Sequence, residues 1–239
     1  MKRRRISGIE RKSLILDEAR RIFSKHGFEA ARTQDIARAA QVSEALVYRH
    51  FPTKQALYRA VLRRTIRDQN ANHEMVGLRN ITPRGLITNL RTYFQIVVGG
   101  GPEHVTEGFR LLLASVAGDA SFASLIYRRA NRMMNERVHQ ALVQAHACGD
   151  IVGKVLDARN TSMFTEHIGT MMNTLAKMTS QPSPYSGDKA QLVNDAVWFC
   201  SRGLGFTEEA IARYLADADG EGDPAQTLRD DAYPTRKAG

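Results

Sequence analysis

Residues 33–51 read TQDIARAAQVSEALVYRHF, and this stretch predicts two short helices around a tight turn. Thr33 suits the N-cap of the first helix, because its hydroxyl can accept a hydrogen bond from an unpaired backbone N–H. Ile36, Ala37 and Ala40 recur at helical spacing, so they give that helix one apolar face. This face predicts that the first helix packs against a small core.

The second helix of the stretch follows Val42, which is placed to fill the corner between the two helices. Ser43 is its predicted N-cap. Val47 and Phe51 lie one turn apart on its inner face. Two short helices joined in this way are typical of a helix-turn-helix, whose second helix lies in the major groove of DNA.

The same stretch resembles the N-terminal domain of the tetracycline-repressor (TetR) family of bacterial transcription regulators. The resemblance is carried, at ungapped spacing, by Thr33, Asp35, Ile36, Ala37, Ala40, Val42, Ser43, Tyr48, His50, Phe51 and Lys54. Family members often have Gly where this chain has Ala45, and Leu or Ile where it has Val47; these differences bear on base preference. The resemblance implies an all-α fold of about nine or ten helices, with a three-helix DNA-binding domain before a helical ligand-binding and dimerisation domain.

Three regions are predicted along the chain. Residues 1–53 form the helix-turn-helix domain, and residues 54–216 form the effector-binding and dimerisation domain. Residues 217–239 have few apolar side chains, so we expect a disordered tail. Helical periodicity continues after residue 73, with a firm break at the Gly-Gly-Gly-Pro of residues 99–102, and nothing in the sequence predicts a strand.

The positive charge of the chain is concentrated near its N-terminus. Residues 1–67 hold 17 Lys and Arg against 6 Asp and Glu, whereas residues 68–239 hold 17 against 19. A basic excess confined to the helix-turn-helix segment favours phosphate binding over a merely solvated surface. Residues 2–5, Lys-Arg-Arg-Arg, are either an arm for phosphates or the minor groove, or a solubilising tail.

The candidate DNA contacts divide into base-reading and phosphate-binding positions. The first turn of the second motif helix and the residues one turn later should face base edges. By resemblance, four positions match family residues that usually bind the phosphate backbone: Thr33, Tyr48, His50 and Lys54. For His50 the alternative is a neutral helix-end cap, and for Tyr48 a plain core aromatic. The full predicted set is Thr33, Gln34, Ser43, Glu44, Ala45, Tyr48, Arg49, His50 and Lys54.

Two late helices carry wide apolar stripes that suit a four-helix interface with a second copy of the chain. Gly169, Ala176 and Gly203 are small residues that would let such helices approach closely. The family uses its last two long helices in this way. The predicted interface residues are Ile168, Met171, Met172, Leu175, Leu192, Ala196, Val197 and Cys200.

An effector pocket is expected among the middle helices, because family members usually hold a small-molecule cavity there. Candidate lining residues are Phe94, Phe109, Phe122, Tyr127, Met133 and Phe164. Aromatic and Met side chains at helical spacing are also ordinary core, so this set is a weaker signal than the helix-turn-helix. Such side chains favour a largely apolar ligand.

Enzyme and metal signatures are weak in this chain. Glu136, His139 and His146 have partial metal-ligand spacing, but a third strong ligand or a repeated motif is missing. We therefore expect no enzyme, no metal and no cofactor. Two cysteines distant in sequence, no secretory signal and no long apolar run indicate a cytoplasmic protein without a membrane partner.

These observations predict a homodimeric, ligand-responsive transcription regulator that binds a palindromic double-stranded operator. Release of the operator by a small, mostly apolar effector would make the protein a repressor, and an activator of the same fold is the alternative. A helical metal-binding protein or enzyme with a basic head, and a non-specific DNA-coating protein, are the remaining alternatives.

Overall fold

The computed structural model describes residues 7–75, 81–99, 103–118, 120–175 and 184–219. Within these ranges the chain forms ten α-helices, which confirms the all-α prediction, and its only β pairing is a bridge between Ile151 and Phe206. The helices are α1 Gly8–Ala30, α2 Thr33–Ala39, α3 Glu44–His50, α4 Lys54–Met75, α5 Pro83–Gly99, α6 Glu103–Ala117, α7 Ser121–Ala147, α8 Ala158–Leu175, α9 Lys189–Gly203 and α10 Glu208–Asp219. The tail was predicted to begin at residue 217, but residues 217–219 belong to α10. The rest of the predicted tail, from residue 220, and the basic arm at residues 2–5 lie outside the described residues.

Side-chain caps fix where several helices begin. Ser7 and Glu10 form the predicted capping box at the start of α1, each side chain accepting from the other's backbone N–H. The predicted Ser43 cap of α3 is confirmed, because its Oγ accepts from the Leu46 N–H at 3.2 Å. Asp188 caps α9 in the same way.

One prediction about a helix start is wrong. Thr33 is not the N-cap of α2; that position belongs to Arg32, and the Thr33 hydroxyl instead lies 3.1 Å from the Tyr48 hydroxyl. Gly27 interrupts α1, because its backbone is not helical and has the positive φ of 73° that is typical of a helix stop. The chain kinks at Gly27 and then makes one more helical turn to Ala30.

The chain divides into two compact units, and each is described by itself. The first contains residues up to 69 together with residues 104–124. It therefore extends beyond the predicted boundary at residue 53, because α6 and much of α4 pack with α1 to α3. Its fully buried side chains are Ile15, Phe23, Ile36, Val47, Leu57, Leu111 and Phe122.

A partly buried ion network, with Arg20 and Glu107 at its buried end, joins three helices of the first unit. Arg20 of α1 donates to Asp68 of α4 at 2.8 Å and to Glu107 of α6 at 2.7 Å. Arg64 of α4 pairs with Asp17 of α1 at 3.0 Å. Because breaking a buried pair leaves an uncompensated charge in the interior, this network holds α1, α4 and α6 in one arrangement.

The second unit contains residues 70–103 and residues from 125 onward, with α5 at its centre. Helices α8, α9 and α10 all pack against α5, whose Ile87, Phe94 and Val97 are fully buried. The loop after α7 is tied to α10, since Arg213 and Tyr214 both donate to the Asp150 carboxylate. Burial disfavours the charged Asp150, but these two hydrogen bonds outweigh it and hold its pKa below the usual value.

Helix α8 packs with a largely polar face toward α5. Thr170 and Asn173 are buried there, and the Asn173 amide donates to the Val97 carbonyl at 3.0 Å. Gly169 lies on this inner face, so the sequence argument that placed it in an interface between copies is wrong. A Cβ at Gly169 would lie 2.2 Å from the Tyr93 hydroxyl oxygen, so its small size serves the packing of α8 on α5.

No single described helix is long and apolar enough to cross a membrane. Helices α6 and α7 satisfy the length and apolarity criteria only as a bent pair.

We expect Gly169→Ala to destabilise the protein by about 1–3 kcal/mol, because the new methyl group must displace the Tyr93 ring from its packed position. Gly203→Ala is the matched control: it is also a helical glycine, but nothing lies within 4 Å of its added Cβ. Thermal unfolding of the two variants measures the difference. A Tm for Gly169→Ala equal to that of Gly203→Ala would show that the close packing at Tyr93 is wrong.

Candidate nucleic-acid interface

Helix α3 is held by one face and exposes the other. Val47 is fully buried and Phe51 is 5% exposed, so these two side chains anchor the helix to the core of the first unit. Ala45, Tyr48 and Arg49 are exposed on the remaining surface. The exposed surface of this short helix therefore offers three chemical groups: a methyl group, a phenol and a guanidinium.

The hydrogen bond between Thr33 and Tyr48 connects the start of α2 to the middle of α3. The Tyr48 side chain is 42% exposed, which excludes its interpretation as a plain core aromatic, whereas Thr33 is buried. Gln34, next to Thr33, is exposed. The two predicted phosphate-binding positions Thr33 and Tyr48 are therefore adjacent in space, although 15 residues separate them in sequence.

Lys54 is placed beside the motif but has partners inside the protein. Its Nζ donates to the Glu29 carbonyl at 2.9 Å and lies 4.7 Å from the centre of the Phe28 ring. His50 is half-buried at the end of α3, with its ring 6.3 Å from that of Phe51. Both residues remain candidate phosphate contacts, but Lys54 also contributes to the fold.

The motif is surrounded by exposed cations. Arg32 precedes α2 and is exposed, and the Arg38 side chain is 74% exposed, with a 3.4 Å pair to Asp35. Arg49 has no ion pair or hydrogen bond within the described part of the chain. The sequence prediction missed Arg32, although its position directly before the motif could have identified it as a phosphate contact.

The structure divides the predicted dimer residues between interior and surface. Met172, Ala196, Val197 and Cys200 are buried within the second unit. Burial raises the pKa of the Cys200 thiol to about 11, so it is a neutral core group at pH 7. On the surface, Met171 is 50% exposed, and the half-buried residues are Ile168, Leu175 and Leu192. The prediction missed Phe199 of α9, which is 70% exposed.

The predicted pocket residues are distributed over both units. Phe109 and Phe122 belong to the first unit, and the others belong to the second. Phe94 is fully buried, Tyr127 is half-buried, and Met133 and Phe164 are 37% and 61% exposed. A groove of about 490 Å³ lies elsewhere in the second unit, lined by Arg91, Gln95, Gly99, Lys189, Ala190, Val193, Asn194, Val197 and Leu215.

The candidate metal ligands also remain separate. Glu136 accepts a hydrogen bond from Gln140 at 2.8 Å, and His139 and His146 are exposed. Among the residues that the structure describes, no three His, Cys, Asp or Glu side chains are grouped to hold a metal ion.

The family model for bacterial regulatory proteins of the tetR family matches residues 15–61. The match contains most of α1, all of α2 and α3, and the start of α4. The N-terminal part of the chain is therefore similar to bacterial regulatory proteins of the tetR family. This match covers the whole helix-turn-helix described above.

Three similar proteins illustrate the range of TetR-family relatives. The chain is 32% identical over 105 residues to the transcriptional activator FasR of Mycolicibacterium smegmatis, covering 43% of this chain and 45% of FasR. It is 30% identical over 113 residues to the transcriptional repressor KstR of the same species, covering 46% of this chain and 55% of KstR. The chain thus spans about half the length of these curated relatives.

A solved structure of AibR in complex with isovaleryl coenzyme A and operator DNA is similar over most of the chain. The alignment covers 80% of this chain and 97% of AibR, with a TM-score of 0.60 and 19% sequence identity. At this identity the likeness shows a shared fold. The similarity to a solved structure therefore extends beyond the residues that the family model matches.

Lys54→Ala should lower the free energy of unfolding by about 1–2 kcal/mol even without DNA, because it removes a hydrogen bond and a cation–π contact. Arg49→Ala should leave stability within about 0.5 kcal/mol, as is usual for an exposed surface residue. Urea unfolding of both variants measures this. Equal midpoints would mean that Lys54 does not support the fold.

Proposed function

We propose that the protein is a homodimeric, ligand-responsive transcription regulator, and not an enzyme, that binds a palindromic DNA operator. The observation that carries this proposal is the arrangement of α3. Val47 and Phe51 fix the helix to the core, while Ala45, Tyr48 and Arg49 face outward from a basic surface. A recognition helix needs this combination of a rigid position and an open face.

Each exposed side chain suits a contact to duplex DNA. Ala45 can touch a thymine methyl group, Glu44 can accept from cytosine N4, and Arg49 can reach guanine or a phosphate. Ser43 lies at the exposed start of α3. Tyr48 and Thr33 offer two hydroxyl groups 3.1 Å apart for one phosphate, and Gln34, His50 and Lys54 border the same surface.

The proposed DNA binding can be tested before any operator is known, with a mixed-sequence duplex as the probe. Affinity should fall steeply between 50 and 200 mM salt, because each neutralised phosphate releases counterions. Arg49→Ala should make the negative slope of log K against log salt less steep, by about 0.9 for each copy of Arg49 that contacts a phosphate in the wild type. Fluorescence anisotropy at several salt concentrations measures both values.

The control for this experiment is Lys154→Ala, which removes an exposed cation from the second unit. Its salt slope should equal that of the wild type. A wild-type affinity that does not depend on salt, or an equal loss of slope in both variants, would contradict phosphate binding by α3.

Dimerisation is supported by the orientation of α8. Its inner face buries Thr170 and Asn173, whereas Phe164 and Met171 are 61% and 50% exposed on another face. Large apolar groups that are exposed on one face of a helix often mark a site where another protein surface binds. On α9, Phe199 is 70% exposed, so a second copy could bury the apolar surfaces of both helices.

Such a two-fold dimer would carry two copies of α3. On DNA these would occupy half-sites about 34 Å apart, or a small multiple of that distance, on a palindromic operator.

We expect Phe199→Glu to convert a dimer into a monomer, because it places a charge in the proposed apolar interface. Light scattering with size exclusion should give twice the chain mass of 26.7 kDa for the wild type and a single chain mass for the variant. Val143→Glu is the control, since Val143 is 47% exposed on α7. A monomeric wild type, or a dimer that survives Phe199→Glu, would contradict this interface.

Regulation would work by a shift between two populations. The effector would bind more tightly to a conformer in which the two α3 helices are wrongly spaced for the operator than to the DNA-binding conformer. The difference between these two binding free energies sets how far operator affinity falls. Helix α4 follows the DNA-binding motif along the chain and would transmit the change, and the Arg20 network holds it to α1 and α6. AibR, which has a similar fold, was solved with both isovaleryl coenzyme A and operator DNA, which supports regulation of this chain by a small-molecule effector.

Release of DNA by the effector would make the protein a repressor, as KstR is named. The alternative is an activator, as FasR is named. Transcription in vitro from a template carrying the operator, with and without the protein, distinguishes the two.

A further inference from the structure

A polar cluster lies inside the second unit, where α5 and α8 meet. The Tyr93 hydroxyl of α5 donates to the Glu166 carboxylate of α8 at 3.1 Å. The Thr170 hydroxyl, one turn further along α8, donates to the other carboxylate oxygen at 3.5 Å. Gly169 leaves the space that Tyr93 needs to reach this position. The cluster is therefore built by two helices and depends on the close packing described above.

The Glu166 carboxylate lacks a strong positive partner. Within the described residues it forms no ion pair with a Lys or Arg; its neighbours are the hydroxyls of Tyr93 and Thr170 and the His167 imidazole. Tyr127 of α7 also lies near enough to feel its charge. Burial raises the pKa of Glu166, and burial together with the Glu166 charge raises the pKa of Tyr93.

A buried carboxylate in this setting is costly for the fold. Two hydroxyl hydrogen bonds compensate a buried charge only partly, and a neutral side chain of similar volume would often be as stable or more stable. Perturbed ionisable groups of this kind concentrate at functional sites. Taken as a whole residue, Glu166 is half-buried, so the protein does not enclose it completely.

Aromatic residues lie next to the cluster, because Tyr93 donates to Glu166 and Tyr127 interacts electrostatically with it. Tyr93 packs edge-on against Phe94 at 5.3 Å, and Tyr127 packs edge-on against His167 at 5.9 Å between ring centres. Aromatic faces attract cations, and a carboxylate forms its strongest hydrogen bonds with charged donors. Carboxylate and rings together favour a positively charged group carried on an apolar body.

We propose that Glu166, with the rings of Tyr93 and Tyr127, binds an organic ammonium ion with an apolar body, and that this is the chemical class of the effector. The inference rests on the proposed function, because it assumes a ligand-responsive regulator. It adds one positive group to the mostly apolar effector that the sequence predicts, and it places that group at a named side chain.

The test uses n-octylammonium as the probe, with octanol and octanoate as neutral and anionic analogues of equal chain length. Calorimetric titration into the full chain should show octylammonium binding at least tenfold tighter than octanol, and octanoate weakest. Glu166→Gln should lose about tenfold in octylammonium affinity, which corresponds to about 1.4 kcal/mol, while octanol affinity changes less than threefold.

The matched control is Glu136→Gln, the same substitution at an exposed glutamate of α7 in the same unit. It should bind all three probes like the wild type. Equal affinity of the wild type for octylammonium and octanol, no binding of either, or the same loss in both variants would overturn the proposal.

A second variant keeps the test decisive if Glu166→Gln does not fold. Tyr93→Phe removes one donor to Glu166 but keeps the ring. Octylammonium affinity should then be unchanged or tighter, because Glu166 has one fewer internal partner. A tenfold loss in Tyr93→Phe would instead overturn the site.

The same proteins separate this inference from the proposed function. Anisotropy with the mixed-sequence duplex should give wild-type DNA affinity for both Glu166→Gln and Glu136→Gln in the absence of octylammonium. Loss of ammonium selectivity with DNA binding intact refutes the site alone. If the wild type does not bind DNA but still prefers octylammonium, the proposed function as a regulator is refuted and the cation-binding site remains.

Discussion

The anchoring of α3 by Val47 and Phe51 is the constraint on which the account depends. A helix of seven residues is not stable by itself in water, since nucleation costs more than its few hydrogen bonds return. Burial of these two side chains and the Ser43 cap supply what the short helix lacks. One face is thereby committed to the core, and the opposite face is rigidly presented to solvent.

Packing in both units follows from polar groups as much as from apolar ones. In the first unit, Arg20 joins three helices through the carboxylates of Asp68 and Glu107. In the second, α8 uses Thr170, Asn173 and Gly169 to approach α5, whereas Phe164 and Met171 lie on its exposed surface. The same helix therefore supplies both an exposed apolar surface for a second copy and a polar cluster for a ligand. The proposed dimer interface and the proposed effector site therefore involve two different faces of α8.

Much of the fold could be predicted from the sequence because local signals were strong. The break predicted at the Gly-Gly-Gly-Pro of residues 99–102 coincides with the end of α5 at Gly99 and the start of α6 at Glu103. The cap at Thr33 was wrong because Arg32 takes that position and the hydroxyl is used by Tyr48. Periodicity showed that α8 has an apolar stripe but not which way it faces, since that depends on α5 and Tyr93. Glu166 could not be identified either, because its environment is created by residues more than 70 positions away.

The most direct measurement of the central claim is selection from a random duplex library by the full chain, in parallel with an Ala45→Glu variant. The account predicts that the wild type enriches a two-fold symmetric motif whose half-sites lie about one helical turn, or a small multiple, apart. Ala45→Glu, which places a negative charge on the exposed face of α3, should enrich nothing. A library that stays random with the wild type, or the same motif enriched by both proteins, would contradict recognition by this helix.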